Sequence, residues 1–363
     1  MATSQALSKE ATLFFTCGAD AYRARDAIDA ALFRGELETP WTEILRLSAC
    51  EEYATEHELQ LEETALDAAS NAFRYQHDLI TAEETEQWLE RRGLMLADFS
   101  QFFVRHHWGN VLRGKVPAQS VPYLSGSPEL HDLLVTELVL TDELDRMAVR
   151  LSWRIAVCEA ARDEEIPGEL LAVEQGKFLE RNKLKPEEVA NWLEQVGRDE
   201  KWLEQMCRGE ALYRRECDGT LTASERKREL ADLRLPLTKF EVEMIELESL
   251  DAAHEAFLCV REDGMTMEEV AREGKYPFRR STRLLEEIPL EYQQRFLSVS
   301  AGDVLAPLER GDGYQLCRVT GKSEPDVEDP AVRMRADDRI LDRHFAELVA
   351  RHLEWRLLTI SSE

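Results

Sequence analysis

No stretch of this sequence approaches the roughly 20 consecutive apolar residues that a bilayer-spanning helix needs, so no membrane segment is expected. Basic residues are also short: 45 Lys and Arg stand against 72 Asp and Glu, a formal charge of −27. A chain without a cationic surplus is poorly suited to phosphate backbones, which excludes nucleic acid as the main partner and argues against docking on an anionic membrane. Its field would keep the protein soluble and favour basic or neutral clients. The seven cysteines, at 17, 50, 158, 207, 217, 259 and 317, are scattered and form no Cys-x-x-Cys pair. That pattern supports neither a zinc knuckle nor a disulfide framework and fits free thiols in a reducing cytoplasm. The sequence has no phosphate-binding glycine loop, no Gly-x-Ser-x-Gly elbow and no His-Glu-x-x-His, so neither cofactor nor metal is expected. His106 and His107 are adjacent, and neighbours on a helix point about 100° apart, so they would not share an ion. The opening residues, MATSQALSKEATLFF, lack the cationic start and apolar core of an export signal.

What is present is a helical pattern with a change of character near Pro236. Hydrophobic residues make up 44% of a 363-residue chain, enough for more than one core. Up to about residue 235 the apolar positions recur at three- and four-residue spacing, as in Ala65, Ala69, Ala72 and Phe73. Residues 115–127 (KVPAQSVPYLSGS) read as a loop, and Ser127-Pro128-Glu129 as an N-cap with proline at the first helical position.

The helical part contains a repeat. At a constant offset of 104, Glu83, Glu84, Trp88, Leu89, Glu90, Gly93 and Gln101 meet Glu187, Glu188, Trp192, Leu193, Glu194, Gly197 and Gln205. Upstream, CEEYATEHE at Cys50 resembles CEAARDEE at Cys158 with a few residues lost between. Two copies make a duplication rather than a solenoid. Each reads as a capped helix with a buried Trp-Leu pair, a glycine stop in the left-handed conformation, and a second helix.

After Pro236, residues 239–249 (KFEVEMIELES) show two-residue alternation through Phe240, Val242 and Met244, then a phase slip, and read as a strand. Residues 250–274 read as a helix, a turn at Asp263-Gly264, and a short helix from Thr266. Residues 302–322 read as a hairpin with a Gly-Asp-Gly turn whose second strand ends at Val319. A polar linker leads to a helix over 331–358 with Ile340, Leu341, Phe345, Leu348, Val349 and Leu353 on one stripe, a face that must dock somewhere.

The order strand, helix, short helix, hairpin between 238 and 322 resembles a parvulin peptidyl-prolyl isomerase domain, most of all over IPLEYQQRFLSVSAGDVLAPLERGDGYQL. In that resemblance Ile288, Tyr292 and Leu297 match the apolar residues lining the proline pocket. Gly302-Asp303-Val304 matches a Gly-Glu-Val, and Pro307 and Gly313-Tyr314 match the strand proline and the Gly-Tyr. The helical module and RILDRHFAELVARHLEW (339–355) resemble SurA-type chaperones, in which a C-terminal helix returns to the N-terminal module. The family's two histidines are not matched: Gln315 replaces one, and Glu243 or a neighbour stands at the other. KYPFRRSTRLLEE (275–287) replaces the family's Gly-Gly-Asp-Leu-Gly stretch, and His254, within the domain, falls on the helix.

The expected fold is therefore α+β: helical units over 1–115 and 116–235, a parvulin-like domain over 236–322, and a linker with a closing helix over 323–363. The expected function is a cytoplasmic chaperone-like protein that binds unfolded or precursor peptide through Phe278, Ile288, Tyr292, Leu297, Tyr314 and Gln315, with an inactive parvulin-like domain. The alternatives are an active cytoplasmic isomerase using residues such as Cys317, Tyr314 or Glu243, and an accessory scaffold with a partner in peptide or metalloenzyme maturation.

Overall fold

The computed structural model describes residues 9–117, 120–311 and 313–357. Outside them lie most of the N-terminal export reading, two residues of the loop at 115–127, the central Asp312 of the expected turn, and Leu358. The architecture is α+β, mainly helical with two small antiparallel sheets. The described residues up to Cys217 and from Phe345 onward form one compact unit, and Asp218–His344 form a second.

The first unit opens with strands β1 (Leu13–Cys17) and β2 (Asp20–Arg23), followed by α1 (Ala24–Phe33), α2 (Glu38–Glu56), α3 (Glu63–Gln76), α4 (Ala82–Arg91) and α5 (Leu96–Val111). The second copy is α6 (Pro128–Leu140), α7 (Glu143–Ala160), α8 (Gly168–Asn182), α9 (Val189–Val196) and α10 (Glu200–Thr220). Ser127 caps α6, its hydroxyl accepting from the Leu130 amide at 3.3 Å. Gly93 and Gly197 have φ of +69° and +68°, the left-handed stops that glycine adopts without strain. In each copy the indole is a buried anchor. Phe73 on α3 meets Trp88 edge-on at 5.6 Å, and Phe178 on α8 meets Trp192 edge-on at 5.0 Å.

The duplication reaches further upstream than the cysteine pairing suggests, and in a different register. Starts at Ala24 and Pro128, and ends at Glu56 and Ala160, all keep the offset of 104. Arg46-Leu47-Ser48 therefore corresponds to Arg150-Leu151-Ser152, whereas Cys50 and Cys158 are 108 apart and not equivalent. The first helices also reach across the copies: α1 packs on α7, and α6 packs on α2 as well as on its own copy's α7. Phe33 of α1 stacks on Phe178 at 5.1 Å, inside the other copy's core.

The second unit contains α11 (Ala223–Asp232), β3 (Lys239–Leu247), α12 (Leu250–Arg261), α13 (Met267–Gly274), β4 (Phe278–Leu284), α14 (Leu290–Ser298), β5 (Leu308–Arg310) and β6 (Gly313–Ser323). The antiparallel sheet has the order β4-β3-β6-β5. Thr266 and Glu269 cap α13 reciprocally, and Gly264 turns the chain before it with φ of +71°. The apparent phase slip in β3 is no slip. Phe240, Val242 and Met244 belong to the core on one face of the sheet, and Ile245 and Leu247 to the core on the other, so alternation continues throughout.

Two strands differ from expectation. Residues 278–284 form β4, an edge strand whose charges suit an edge. The first hairpin strand is reduced to a bridge at Val304 and the three residues of β5. Pro307, which has no amide hydrogen to offer a ladder, stands between them. Strand β6 runs on past Val319 to Ser323.

The last helix, α15 (Pro330–His352), stops short of the expected 358, because the chain turns into β7 (Glu354–Trp355). That strand pairs with β1, giving the order β2-β1-β7. Trp355 packs on Phe15 with ring centres 5.1 Å apart, and Phe345 stacks on Trp153 at 4.9 Å, both within the first unit. Among the described residues no helix is long and apolar enough to cross a membrane.

Candidate peptide-binding cavity

The second unit holds a cavity of about 160 Å³ on the face of its sheet that carries Met244. An engineered apolar cavity of about 150 Å³ takes up benzene, so the space suits one ring or branched side chain. Its walls are Val242 and Met244 from β3, Cys317 from β6, Leu308 from β5, and Ile288, Pro289, Tyr292 and Phe296 from α14 and the turn before it. Period decides who faces it. Positions 292 and 296 are four apart and share one face of α14, and Ile288 lies in the turn that leads into it. On the strands, residues 242 and 244, and 315 and 317, share one side of the pleat.

Of the six residues expected to bind, three line this cavity: Ile288, Tyr292 and Gln315. Leu297 lies one residue off the helix face and packs against the core from outside the cavity, while its neighbour Phe296 is a wall. Tyr314 and Phe278 pack on the opposite face of the sheet, with α12 and α13. Tyr314 and Gln315 are neighbours on one strand, so they point to opposite sides and cannot serve one pocket. Glu243 is likewise on the far side, where it pairs with Arg280 at 3.1 Å. Of the neighbours of Glu243 on β3, it is Val242 and Met244, the latter directly opposite Cys317, that face the cavity. The contributions of Met244, Phe296 and Leu308 follow from the same periods once Gln315 is taken as the reference. Arg283 and Arg310, also on the lining, carry no sequence signal beyond their charge.

Tyr292 is fixed rather than free: its hydroxyl donates to the Glu309 carbonyl and accepts from the Glu309 amide, both at 3.1 Å. Gln315 is different. It is 7% exposed, and its Oε1 accepts from the Cys317 thiol at 3.5 Å. Its Nε2 is buried and has no hydrogen-bond partner among the described residues. A buried donor left unpaired costs about 1–3 kcal/mol, so the cavity holds a standing demand for an acceptor. Ser281 Oγ on β4, opposite Val242 and so on the cavity face of the sheet, is also buried without a partner among the described residues. Burial pushes the Cys317 thiol up to about 12, against the weaker pull of Arg310 and Arg283, so the sulfur stays protonated and weakly nucleophilic at neutral pH.

A larger cavity of about 390 Å³ lies in the first unit, lined by residues of β1, β2, α1, α7 and α10. Its charges are matched internally: Arg154 with Glu210 at 2.8 Å, Arg34 with Glu36 at 2.6 Å, and Arg198 with Asp26 at 3.1 Å. No buried side-chain polar atom on its lining lacks a partner among the described residues. Nor do any three or more His, Cys, Asp or Glu among the described residues come together as a metal site.

No family model matches the chain, and no curated protein matches it in sequence. Solved structures similar to it include a peptidylprolyl isomerase (PrsA) from Bacillus cereus, 14% identical with a TM-score of 0.36 over 62% of this chain and 86% of that one. The foldase protein PrsA from Streptococcus pneumoniae is 13% identical with a TM-score of 0.25, covering 64% of this chain and 90% of its own. A SurA-like chaperone from Campylobacter jejuni is 10% identical with a TM-score of 0.20, covering 61% and 88%.

Proposed function

We propose that this chain is a chaperone-like protein whose second unit binds unfolded or precursor peptide without accelerating prolyl rotation. A client side chain would fill the cavity between α14 and the sheet, and the client backbone would bring a carbonyl to Gln315. The observation that carries this reading is the unpaired Nε2 of a 93% buried Gln315 (the complement of its 7% exposure) in a pocket whose walls are mostly apolar. Apolar walls with a few placed polar groups are what a peptide anchor requires. Binding alone is favoured over catalysis by the lining. The buried polar side chains on it, Gln315 and Cys317, are a neutral amide and a thiol held protonated, and neither titrates near neutrality. The proposal includes a reducing, cytoplasmic setting, for which the seven scattered cysteines are the reason.

The test is exchange NMR on a labelled Xaa-Pro peptide with the full chain. Shift changes or broadening without faster cis–trans exchange support a binding site. Faster exchange would establish an isomerase instead. Absence of any effect on peptides of several compositions would leave the scaffold alternative, to be pursued by co-purification of a specific partner.

A further inference from the structure

We infer that the cavity of the second unit selects clients carrying a carboxylate next to the anchored side chain, and that Arg283 and Arg310 read it. This rests on the peptide-binding reading above and adds the chemical class of the client.

Arg283 lies on β4 and Arg310 on β5, the two edge strands, and both line the cavity. Register puts them on the cavity face: Arg283 is opposite Phe240, and Arg310 lies two residues from Leu308, which is opposite Gln315. Neither guanidinium makes a hydrogen bond or ion pair with any described residue. Their neighbours do. Arg279 pairs with Glu246, Arg280 with Glu243 and Glu268, and Arg335 with Glu286 and Glu287. In a chain of charge −27, where acids outnumber bases, two unmatched guanidinium groups at one cavity are not explained by internal pairing.

Of the acids on the lining, Glu287 is occupied, accepting from the Leu284 amide at 3.0 Å as well as from Arg335. Glu309 is exposed and offsets one positive charge but not both. With Gln315 Nε2, the cavity's main free hydrogen-bonding capacity is therefore donors. A ligand that satisfies it brings acceptors: a carbonyl for the amide and a carboxylate for the arginines, whose planar fork matches that group. The overall field of the protein repels acidic ligands, so such a preference can only come from the cavity itself.

The carboxylate could be an acidic side chain or the free end of a chain, and the assay separates the two. Fluorescence polarisation on the full chain would compare an acetylated, amidated Glu-Pro peptide with its Gln-Pro and Lys-Pro counterparts, and with a Gln-Pro peptide ending in a free carboxylate. The Glu-Pro peptide, the free-acid peptide or both should bind about three- to tenfold more tightly than amidated Gln-Pro in low salt, with the margin shrinking as salt rises. Arg283→Ala with Arg310→Ala should remove that margin, and lysine at both positions should restore part of it. Equal binding of all peptides by the wild-type chain would overturn the charge selection and leave the peptide site standing. So would a margin that survives the double substitution. Failure of every peptide to bind would overturn the peptide site, and the selection with it.

Discussion

Replacing Gln315 with leucine should stabilise the second unit and weaken its hold on peptide, two effects of opposite sign from one substitution. Leucine is close in size to glutamine and apolar; position 315 lies between Leu308 on β5 and Glu246 on β3, with Met244 and Cys317 beside it on the same cavity face. The change removes a buried donor that has no partner and gives up only a weak contact from the Cys317 thiol at 3.5 Å. Relief of the unpaired donor, less that contact, amounts to about 1 kcal/mol of added stability. Hydrogen exchange of the β3 and β6 core amides in the full chain reads this locally, as a slowing of roughly fivefold. In the complex the balance reverses, because a client carbonyl now enters the cavity without its donor. That costs about 1–3 kcal/mol, or roughly five- to 150-fold in affinity. Faster exchange together with unchanged affinity would refute the reasoning, since it would mean that the amide is satisfied within the fold and serves packing.

Gly93→Ala and Gly197→Ala should each cost about 1 kcal/mol, because both glycines hold a positive φ that a Cβ disfavours. Denaturant unfolding of the two variants should give costs within a few tenths of each other, and a difference above ~1 kcal/mol would break the equivalence of the copies. Cys317 should resist iodoacetamide at pH 8 while the half-exposed Cys259 reacts, as peptide mass mapping would show. In the fold its thiol stays protonated to about 12, whereas in the unfolded chain it ionises above 9.0, so stability is lost as pH rises through that interval. By pH 10 this should amount to about 1.4 kcal/mol, a loss that the Cys317→Ala chain would not share when denaturant midpoints at pH 8 and pH 10 are compared.

Much of the fold is legible in the sequence because it is written locally. The Ser127-Pro128 cap, the Thr266–Glu269 capping box and the glycine stops at 93 and 197 each act over three or four residues. The duplication shows because the two indoles and their neighbours keep a constant spacing, and the starts of α6 and α10 and the end of α7 keep that same offset from α1, α5 and α2. Some of the site was also available from period alone. Residues 314 and 315 on a strand, or 296 and 297 on a helix, cannot both face one pocket, so Phe296 and Met244 were within reach where Leu297 and Glu243 had been expected.

The rest was decided by tertiary structure, because it depends on groups far apart in the chain. Strand β4, mostly charged and polar, carries no strand period of its own, and β3 supplies its ladder. The packing of α1 and α6 across the copies leaves no mark on either helix, since an apolar face reads the same whichever partner it meets. The demand at Gln315 is of the same kind. Whether a buried amide is paired depends on what α14, β5 and β3 bring to it, and hydrogen bonding of that sort has no period to read.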